Sequence, residues 1–342
     1  MTASVLSRDA VHSRFGMFTE DLDPDAGFLC EEQVGYFDPT GALTDLKAAC
    51  ERMGVQIQQS AAVPRIALNS DGTKATGVIV CPAKAPMSKA ALATTEMSWL
   101  SGRPSSSSHS ASSSSSAASS PPAAQTKDAA VEISAGAVVN VAGPWGMALN
   151  TASGIDFPWR IVPTRVQVAY KKCDELTPER LASIPCTADE HNGTYFRPQL
   201  GSRQLLMGTI LPEEESEEVD PDSFPTYVDA ERETRYVSGV LARMPFLQPR
   251  GAITGFSALY SVNMDDGHPV VGAHPSIGGL FHAHGFTGHG FKISPVVGSM
   301  LSRAILGSAS ASTAHGVDTS VDPAFFAIDR LPHRISHVSV LA

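Results

Sequence analysis

The stretch LFHAHGFTGHGFKISPVVGSMLSRAIL, residues Leu280 to Leu306, decides the fold. Its order of residues predicts a strand, a glycine-rich turn and a helix in immediate succession. Gly285, Gly288 and Gly290 let the backbone turn sharply and approach a ligand closely. The free N–H groups of the helix point back toward the turn, so the junction is suited to hold an anion or a cofactor. Taken alone, the glycines are equally typical of a plain tight turn.

The helix after this turn is predicted from a broad apolar face. Its members are Phe291, Ile293, Val296, Val297, Met300, Leu301 and Ile305. Pro295 is expected in the first turn, where a missing N–H matters least. Lys292 is expected at the helix start, where its charge opposes the helix dipole. The sequence therefore predicts that this ammonium group faces something anionic, and the alternative is a solvated surface lysine.

Two earlier stretches predict further parts of the same architecture. AVVNVAGPW, residues Ala137 to Trp145, predicts a short buried strand that ends in a turn. Between Gly35 and Val63, Asp38 is expected to cap a helix and Pro39 to begin it. The residues expected on one face of that helix are Leu43, Leu46, Ala49 and Met53, with Gly54 at its end.

In this order along one chain, these stretches resemble the D-amino-acid oxidase family of FAD-dependent amine and amino-acid oxidoreductases. Sarcosine oxidase, glycine oxidase and dimethylglycine dehydrogenase are relatives in that family. Gly285 to Lys292 matches its GF[ST]GHGFK turn and helix. A run of an aspartate, Gly-x-Pro, two hydrophobic residues and Gly is matched by Asp266, Gly267, Pro269, Val270, Val271 and Gly272. Residues 137–145 resemble its Ala-Gly-x-Trp turn, and residues 35–63 resemble its GYxDP helix with the strand that follows.

The resemblance implies an α/β (α+β) fold with a Rossmann-like FAD/NAD(P)-binding domain and an antiparallel-sheet substrate domain. The family holds the ADP half of FAD on a GxGxxG unit near its N-terminus, and this sequence lacks that motif. We therefore expect the Rossmann-like domain to be incomplete at its N-terminus. The expected segments are residues 1–34 (substrate domain), 35–148 (FAD-binding), 149–262 (substrate domain), 263–308 (FAD-binding) and 309–342 (C-terminal tail).

FAD is the cofactor that the resemblance implies. The residues at the family's cofactor-binding positions are Val63, Ala142, Gly143, Trp145, Gly285, Thr287, Gly288, His289, Gly290, Phe291 and Lys292. The resemblance implies that Lys292 and Tyr260 act on the substrate, and Tyr195 is a further candidate for a hydroxyl supplied from the roofing sheet. For Tyr195 the alternative is an aromatic ring packed on the sheet, and Arg197 is open in the same way.

Three positions depart from the family pattern. Tyr260 stands where the glycine oxidase and D-amino-acid oxidase branch has an arginine that holds the substrate carboxylate. Ala258 stands where the sarcosine oxidase branch attaches its flavin through a cysteine, so non-covalent FAD is expected. Leu206 stands where that branch has a lysine that helps to activate oxygen. These departures predict a site without the simple carboxylate clamp and favour a dehydrogenase with another electron acceptor, which is unassigned.

Composition excludes several other classes. The 342 residues carry a formal net charge of -10 and no basic patch, which argues against a nucleic-acid partner. No apolar run is long enough to span a bilayer. The five cysteines are scattered and never spaced as CxxC, so we expect reduced thiols in an intracellular protein, cytoplasmic or mitochondrial.

The histidines of the deciding stretch raise the question of a metal site. His282 and His284 alternate on the predicted strand, with His268, His274 and His289 nearby. No carboxylate or cysteine stands at a usual ligand spacing from them, so no metal is expected.

Polar composition sets two other stretches apart. Residues from about 83 to 127 form a Ser/Ala/Pro tract that is expected to be disordered, between predicted hairpin strands at Ala75 to Val80 and Val131 to Val139. The acidic run Glu213 to Asp220 is expected to be a solvated loop. Short β-like runs and one helix between Arg160 and Gly255 predict the antiparallel substrate sheet.

Two functions of different classes follow, with a third outcome beside them. The first is an FAD-dependent oxidoreductase that oxidises a C–N bond of a small amine or amino acid, such as sarcosine or another N-methyl amino acid, by hydride transfer to the flavin. The second is an FAD-binding assembly factor, similar to that of respiratory complex I, without amine turnover. The third is an inactive fragment.

Overall fold

A computed structural model describes residues 3–18, 22, 27–82, 130–247, 253–307 and 322–333. Within these ranges the chain forms four β-sheets and six α-helices. The helices are α1 (Arg8–Arg14), α2 (Pro39–Arg52), α3 (Gly146–Ala152), α4 (Pro178–Ala182), α5 (Ala230–Arg243) and α6 (Gly290–Leu306). The strands are β1 (Ala3–Leu6), β2 (Phe28–Glu31), β3 (Ala61–Leu68), β4 (Ala75–Pro82), β5 (Val131–Ser134), β6 (Val138–Asn140), β7 (Ile161–Lys172), β8 (Thr187–Asp189), β9 (Thr194–Gln199), β10 (Gln204–Thr209), β11 (Ile253–Asn263), β12 (Val270–Ala273) and β13 (Leu280–His284).

The largest sheet is antiparallel throughout and has the order β11-β7-β10-β9-β8. Because side chains alternate along a strand, one face of the sheet is apolar and packs on α5. That core includes Phe196, Leu205, Met207, Tyr236 and Val240. The strand register places Tyr170, Tyr195 and Tyr260 together on the opposite face, which we call the roof face. The antiparallel sheet predicted between Arg160 and Gly255 is confirmed.

A second sheet has the order β12-β13-β6 and contains the parallel pair β13 and β6. Every residue of β13 is buried, as expected for a strand covered on both faces. On one side α6 packs its apolar stripe against the sheet, with Val271, Phe281, Ala283, Met300 and Leu301 in that core. This pairing of parallel strands with a following helix is the α/β component that the sequence predicted.

The third sheet, β3-β4-β5, contains the predicted hairpin. β4 and β5 pair antiparallel, and Val80 lies opposite Val131. The prediction of one strand from Val131 to Val139 is wrong, because residues 135–137 separate β5 from β6 and the chain passes there from one sheet to another. The Ser-rich tract at 83–127, with its predicted disorder, lies outside the described residues.

Helix α2 has the predicted boundaries but not the predicted burial. The Asp38 carboxylate accepts hydrogen bonds from the N–H groups of Thr40 (3.4 Å) and Gly41 (2.7 Å), and Pro39 is the first helical residue. Gly54 has φ 86° and follows the helix end. The apolar face is exposed, however: Leu43 by 64%, Leu46 by 61% and Met53 by 84%. Within the described residues, no residue of α2 is buried.

Helix α6 begins earlier than its proline suggested. It starts at Gly290, so Pro295 is the sixth helical residue and not part of the first turn. A proline there cannot donate to the carbonyl four residues before it, which belongs to Phe291. The hydroxyl of Ser294 donates to that carbonyl instead, at 3.0 Å. This hydrogen bond gives the carbonyl a donor in place of the N–H that the proline lacks.

The C-terminal segment 322–333 packs against the second sheet and the start of β7. The indole N–H of Trp159 donates to the Ile328 carbonyl at 2.7 Å, and the Arg330 guanidinium lies 4.1 Å from the centre of the Trp159 ring. Arg330 also pairs with the fully buried carboxylate of Asp266. Of the predicted tail 309–342, this part is therefore an ordered component of the fold. The predicted domain boundaries remain predictions.

Two expectations concern the chain as a whole. All five cysteines are free thiols. Across the part of the chain that the structure describes, no helix combines the length and apolar character required to cross a membrane.

Candidate active site

The turn from Gly285 to Gly290 is held in a conformation that its residues make possible. Gly285 has φ 70°, and a Cβ there would lie 2.8 Å from Cδ1 of Ile161 and 2.9 Å from Cβ of Asn263, so only glycine fits. Thr287 also lies in the left-handed region, at φ 47°. Its hydroxyl donates to the Gly285 carbonyl (3.2 Å) and accepts from the Asn263 N–H (3.3 Å), and both bonds oppose the strain.

A second turn, Ala142 to Trp145, follows β6. The Asn140 side chain fixes its start: its oxygen accepts from the Ala142 N–H at 3.1 Å, while its amide group donates to the Gly146 carbonyl. Gly143 has φ 51°, and no atom lies within 4 Å of the position of an added Cβ. The turn therefore presents open backbone beside β6.

Ser261 of β11 joins the two turns. Its hydroxyl donates to the Gly143 carbonyl at 3.4 Å, and its own carbonyl accepts from the Thr287 N–H at 3.0 Å. Both turns follow the carboxyl ends of the parallel strands β6 and β13, the edge at which α/β sheets bind ligands. Sequence reasoning had marked both turns but not Ser261, which lies directly after the predicted Tyr260.

The residues around the two turns fit FAD. Large apolar side chains are exposed there, Val141 by 61%, Trp145 by 44% and Phe291 by 48%, which is typical of a surface that receives an apolar ligand. The N-terminus of the 17-residue helix α6 supplies N–H groups and a positive dipole end for negative charge. Open backbone at Gly143 permits close approach of a planar ring.

The remaining predicted cofactor residues differ in their placement. His289 precedes α6 and donates its N–H to the Phe286 carbonyl at 2.8 Å, Gly290 is the first helical residue, and Lys292 is the third and is exposed. Ala142 and Gly288, which has φ 82°, lie within the turns themselves. Val63 lies in β3, in a different sheet from both turns.

The roof face brings Tyr195 and Tyr260 together. A Cβ at Gly208 would lie 2.5 to 2.6 Å from atoms of the Tyr195 ring, so the ring covers the glycine backbone. Burial raises the pKa of Tyr195, and the charges of Tyr260 and Glu215 raise it further. Burial also raises the pKa of Tyr260, again with a contribution from Glu215. Both phenols are therefore protonated near neutral pH and can donate hydrogen bonds.

The sequence predicted that the acidic loop from Glu213 to Asp220 is solvated. This prediction is only partly correct. Burial, with a smaller contribution from the neighbouring Glu214, raises the pKa of Glu215 to about 8. Glu214 itself pairs with Arg232 and Arg235 of α5. The charge run looked solvated because sequence alone does not show that it continues beside β7, where Thr164 bridges Glu218.

The same loop reaches the second turn. The indole N–H of Trp145 donates to the Asp222 carboxylate at 2.9 Å. At the other side of the site, the Arg197 guanidinium of the roof face lies 4.4 Å from the centre of the Tyr36 ring, and the Phe37 ring lies 5.3 Å from that of Phe291. Residues 36–37 thus connect the roof to the start of α6.

The strand histidines form a buried neutral pair. His282 and His284 are fully buried, and Nδ1 of the first lies 3.3 Å from Nε2 of the second. Burial lowers the pKa of His282 to about 3 and that of His284 to about 4. The ring of His274 lies 5.4 Å from that of His282. In the described ranges, no group of three or more His, Cys, Asp or Glu side chains could hold a metal ion.

Comparison with known protein families agrees with this geometry. The sequence model of the family described as FAD dependent oxidoreductase (DAO) matches residues 108–304, more than half of the chain. The chain belongs to the DAO family. FAD is the cofactor of this family, as predicted, while the non-covalent attachment remains a prediction.

Curated DAO-family relatives cover part of the chain. It is 30% identical over 182 residues to FAD-dependent oxidoreductase domain-containing protein 1 of Xenopus laevis, a match that covers 49% of this chain and 34% of that protein. It is 29% identical over 188 residues to monomeric sarcosine oxidase of Bacillus sp. (strain NS-129), covering 52% of this chain and 45% of the oxidase. The matched region therefore spans less than half the length of these relatives.

Solved structures show the same DAO-family fold. L-proline dehydrogenase from P. horikoshii aligns with a TM-score of 0.65 at 15% identity, covering 95% of this chain and 68% of the dehydrogenase. Glycine oxidase from Geobacillus kaustophilus aligns with a TM-score of 0.61 at 17% identity, covering 97% of this chain and 68% of the oxidase. The predicted α/β fold class with an antiparallel sheet is thus confirmed.

Proposed function

We propose that this DAO-family protein oxidises a C–N bond of a small amine or amino acid with FAD. The observation that supports this most directly is the convergence of two glycine turns, joined by Ser261, beneath a sheet face that carries two protonated tyrosines. A cofactor ring on the turns and a small substrate below the tyrosines would lie against each other. Such an arrangement suits transfer of hydrogen between a substrate and a ring cofactor.

The chain's own residues would supply binding and charge. The turns at residues 142–145 and 285–290 would hold FAD, and the chemistry that FAD supplies when bound is acceptance of a hydride from the carbon attached to the substrate nitrogen. The N-terminus of α6 would stabilise negative charge that develops on the ring, and the ammonium group of Lys292, in the first turn of that helix, would add to it.

The roof face would orient the substrate. Tyr260 and Tyr195 would donate hydrogen bonds to its polar groups, and their buried rings would exclude water from the reacting carbon. Arg197, on the same face, offers a cation for a substrate carboxylate at a different place from the arginine that Tyr260 replaces. Sarcosine and other N-methyl amino acids carry both an amine and a carboxylate. The similarity to a monomeric sarcosine oxidase supports this class of substrate.

We propose a dehydrogenase as the more specific assignment. Leu206, at the position of the oxygen-activating lysine, lies on the roof face opposite Tyr170 and Arg197 and is buried. An apolar side chain there provides no cation to stabilise the negative charge that develops on oxygen when it is reduced. The electron acceptor would then be another molecule.

A second candidate is an FAD-binding assembly protein without amine turnover. The exposed apolar face of α2, with Leu43, Leu46 and Met53, favours it because large exposed apolar patches mark contacts between proteins. None of these three residues belongs to the turns or the roof face, so this exposed patch does not weaken the first proposal.

The test is an anaerobic flavin spectrum. The purified protein would be loaded with FAD, and its visible absorbance followed after addition of sarcosine or proline. Bleaching of the bound flavin by either amine is the expected result. FAD binding without bleaching by a panel of small secondary amines would favour the assembly protein, and no FAD binding would contradict both candidates.

A further inference from the structure

The carboxylate of Asp266 is fully buried and accepts hydrogen bonds from two separate parts of the chain. From the C-terminal segment, the Arg330 guanidinium pairs with both of its oxygens, and the His333 N–H donates to Oδ2 at 2.9 Å. From the end of β11 and the turn after it, the Asn263 side-chain amide and the His268 N–H donate to Oδ1, at 2.9 Å and 3.0 Å. Asp266 therefore links the C-terminal segment to the end of β11.

Asn263 continues this link to the cofactor turn at residues 285–290. Its backbone N–H donates to the Thr287 hydroxyl at 3.3 Å, and that hydroxyl donates to the Gly285 carbonyl at 3.2 Å. Its side chain also lies against the turn, since a Cβ added at Gly285 would be 2.9 Å from Cβ of Asn263. Asn263 thus holds the turn through its backbone and packing, and holds Asp266 through its amide group.

The members of this chain of contacts are shielded from solvent. Asn263, Asp266 and Thr287 are buried, and so is the side chain of Arg330. Hydrogen bonds to a charged group are stronger in such surroundings than at the surface. A buried polar group that loses its partner is costly, so we expect removal of the guanidinium to be met by movement of Asp266 and Asn263.

The guanidinium is itself held in one orientation. It lies 4.1 Å from the centre of the Trp159 ring, and the indole N–H of this ring donates to the Ile328 carbonyl at 2.7 Å. The planar group can therefore present two N–H donors to the two oxygens of Asp266 at once. A lysine would keep the charge but not this paired geometry, and a glutamine would keep neither.

We propose that Arg330 is a positioning residue for the cofactor turn, an assignment that rests on the proposed binding of FAD by this turn. The guanidinium holds the Asp266 carboxylate, the carboxylate holds the Asn263 amide, and Asn263 holds Thr287 in its left-handed conformation. The C-terminal segment thereby sets the shape of the turn and, through that shape, its affinity for FAD.

The first experiment measures FAD affinity in the full chain by quenching of flavin fluorescence, at a temperature where circular dichroism shows each variant to be folded. Affinity should fall about tenfold in Arg330→Gln and about threefold in Arg330→Lys. Leu181→Ala, a large-to-small change in the core of the large sheet and α5, is the control for lost stability and should keep the wild-type affinity. If Arg330→Gln does not fold, Arg330→Lys provides the comparison.

Hydrogen exchange gives a second readout that needs no FAD. The Thr287 amide donates to the Ser261 carbonyl, and its exchange should be about tenfold faster in Arg330→Gln than in wild type. The rate would be expressed relative to that of the Met207 amide in the core of the large sheet, so that a global loss of stability affects both rates. In Leu181→Ala this ratio should stay at the wild-type value.

A double-mutant cycle tests the route through Thr287. Thr287→Val removes the last link, so adding Arg330→Gln to it should lower FAD affinity by less than about threefold further. The assignment is wrong if Arg330→Gln binds FAD as wild type does, if Leu181→Ala loses affinity equally, or if the two changes in the cycle are fully additive. If wild type binds no FAD, the proposed function fails and the role of Arg330 in FAD binding fails with it, whereas faster Thr287 exchange would still establish the link to the turn.

Discussion

The backbone N–H of Thr287 donates to the carbonyl of Ser261 at 3.0 Å, and this bond anchors a left-handed threonine to the end of β11. The turn between β13 and α6 therefore depends on the roof sheet for its shape. Any change that frees the turn should affect cofactor binding before it affects the substrate.

The Thr287 hydroxyl provides the first test. Thr287→Val removes the bonds to Gly285 and Asn263 while keeping a β-branched side chain at φ 47°, so the strain is no longer offset. We expect FAD affinity, measured by quenching of flavin fluorescence, to fall about tenfold. Thr287→Gly should recover part of it because glycine tolerates this φ. Thr234→Val on the exposed side of α5 is the control, and equal affinity losses in both valine variants would contradict the role of the turn.

The tyrosines of the roof face should affect the reaction and not the cofactor. Tyr260→Phe removes a phenol that is protonated near neutral pH and that we propose donates a hydrogen bond to the substrate. Loss of one hydrogen bond should lower the rate of flavin reduction by an amine about tenfold, with FAD affinity unchanged. Tyr227→Phe, at an exposed position, should leave both quantities as they are. A fall in FAD affinity without a change in the reduction rate would place Tyr260 in the cofactor site instead.

The pairing of Asp266 with Arg330 should hold the C-terminal segment in place. Burial raises the pKa of Asp266, but hydrogen bonds from Arg330 and from the N–H groups of His333 and His268 outweigh burial and leave that pKa below its usual value. Its contribution to stability is therefore present above about pH 4 and is lost as the pH falls through the lower folded-state pKa.

Asp266→Asn leaves the buried guanidinium without its charged partner, which costs about 3 to 5 kcal/mol of unfolding free energy. Urea denaturation at neutral pH would measure this loss. Asp329→Asn is the matched control at an exposed position, where the change should stay within about 0.5 kcal/mol. Equal stability of the two variants would contradict the packing described for residues 322–333.

The buried histidine pair should make the protein sensitive to mild acid. Because burial lowers both folded-state pKa values below the ordinary 6.5, the unfolded chain binds more protons between about pH 4 and 6.5. Stability is full above pH 6.5 and falls as the pH drops. At pH 5 each histidine should cost about 2 kcal/mol relative to pH 7.

Denaturant titrations at pH 7 and pH 5 would measure that slope for wild type and for His282→Gln. The variant should lose stability at pH 7 but show a shallower fall toward pH 5, since one proton-binding site of the unfolded chain is gone. His191→Gln, outside the buried pair, is the control. An unchanged slope in His282→Gln would exclude the buried pair as its source.

Local patterns predicted the elements well where the physical signal was local. The Asp38 cap, the glycine turn after β13 and the short β-like runs that became β9 and β10 each depend on neighbouring residues, and the structure confirms them. The exposed face of α2 did not follow from its periodicity, because periodicity shows that a face is apolar and not that something covers it.

The residues of the candidate site divide in the same way, into those with a local sequence motif and those without one. Gly143, Gly285 and Tyr260 could be proposed as site residues because their motifs resemble those of the DAO family. The environments of Glu215 and Asp222 could not be predicted, since they depend on a loop that passes beside β7 and meets Trp145 far away in sequence. A run of acids gives no local sign of which member turns inward, and only tertiary contacts separate Glu215 from Glu213.

The register of β4 and β5 has a practical consequence for protein engineering. Val80 and Val131 face each other across the hairpin, so the chain leaves and re-enters the sheet at adjacent points. Residues 83–129 could be exchanged for a short connection or for a reporter domain whose own termini are close together, without moving either strand. Such a chimera would carry its fluorescent or affinity module on a different sheet from the one that leads into both cofactor turns.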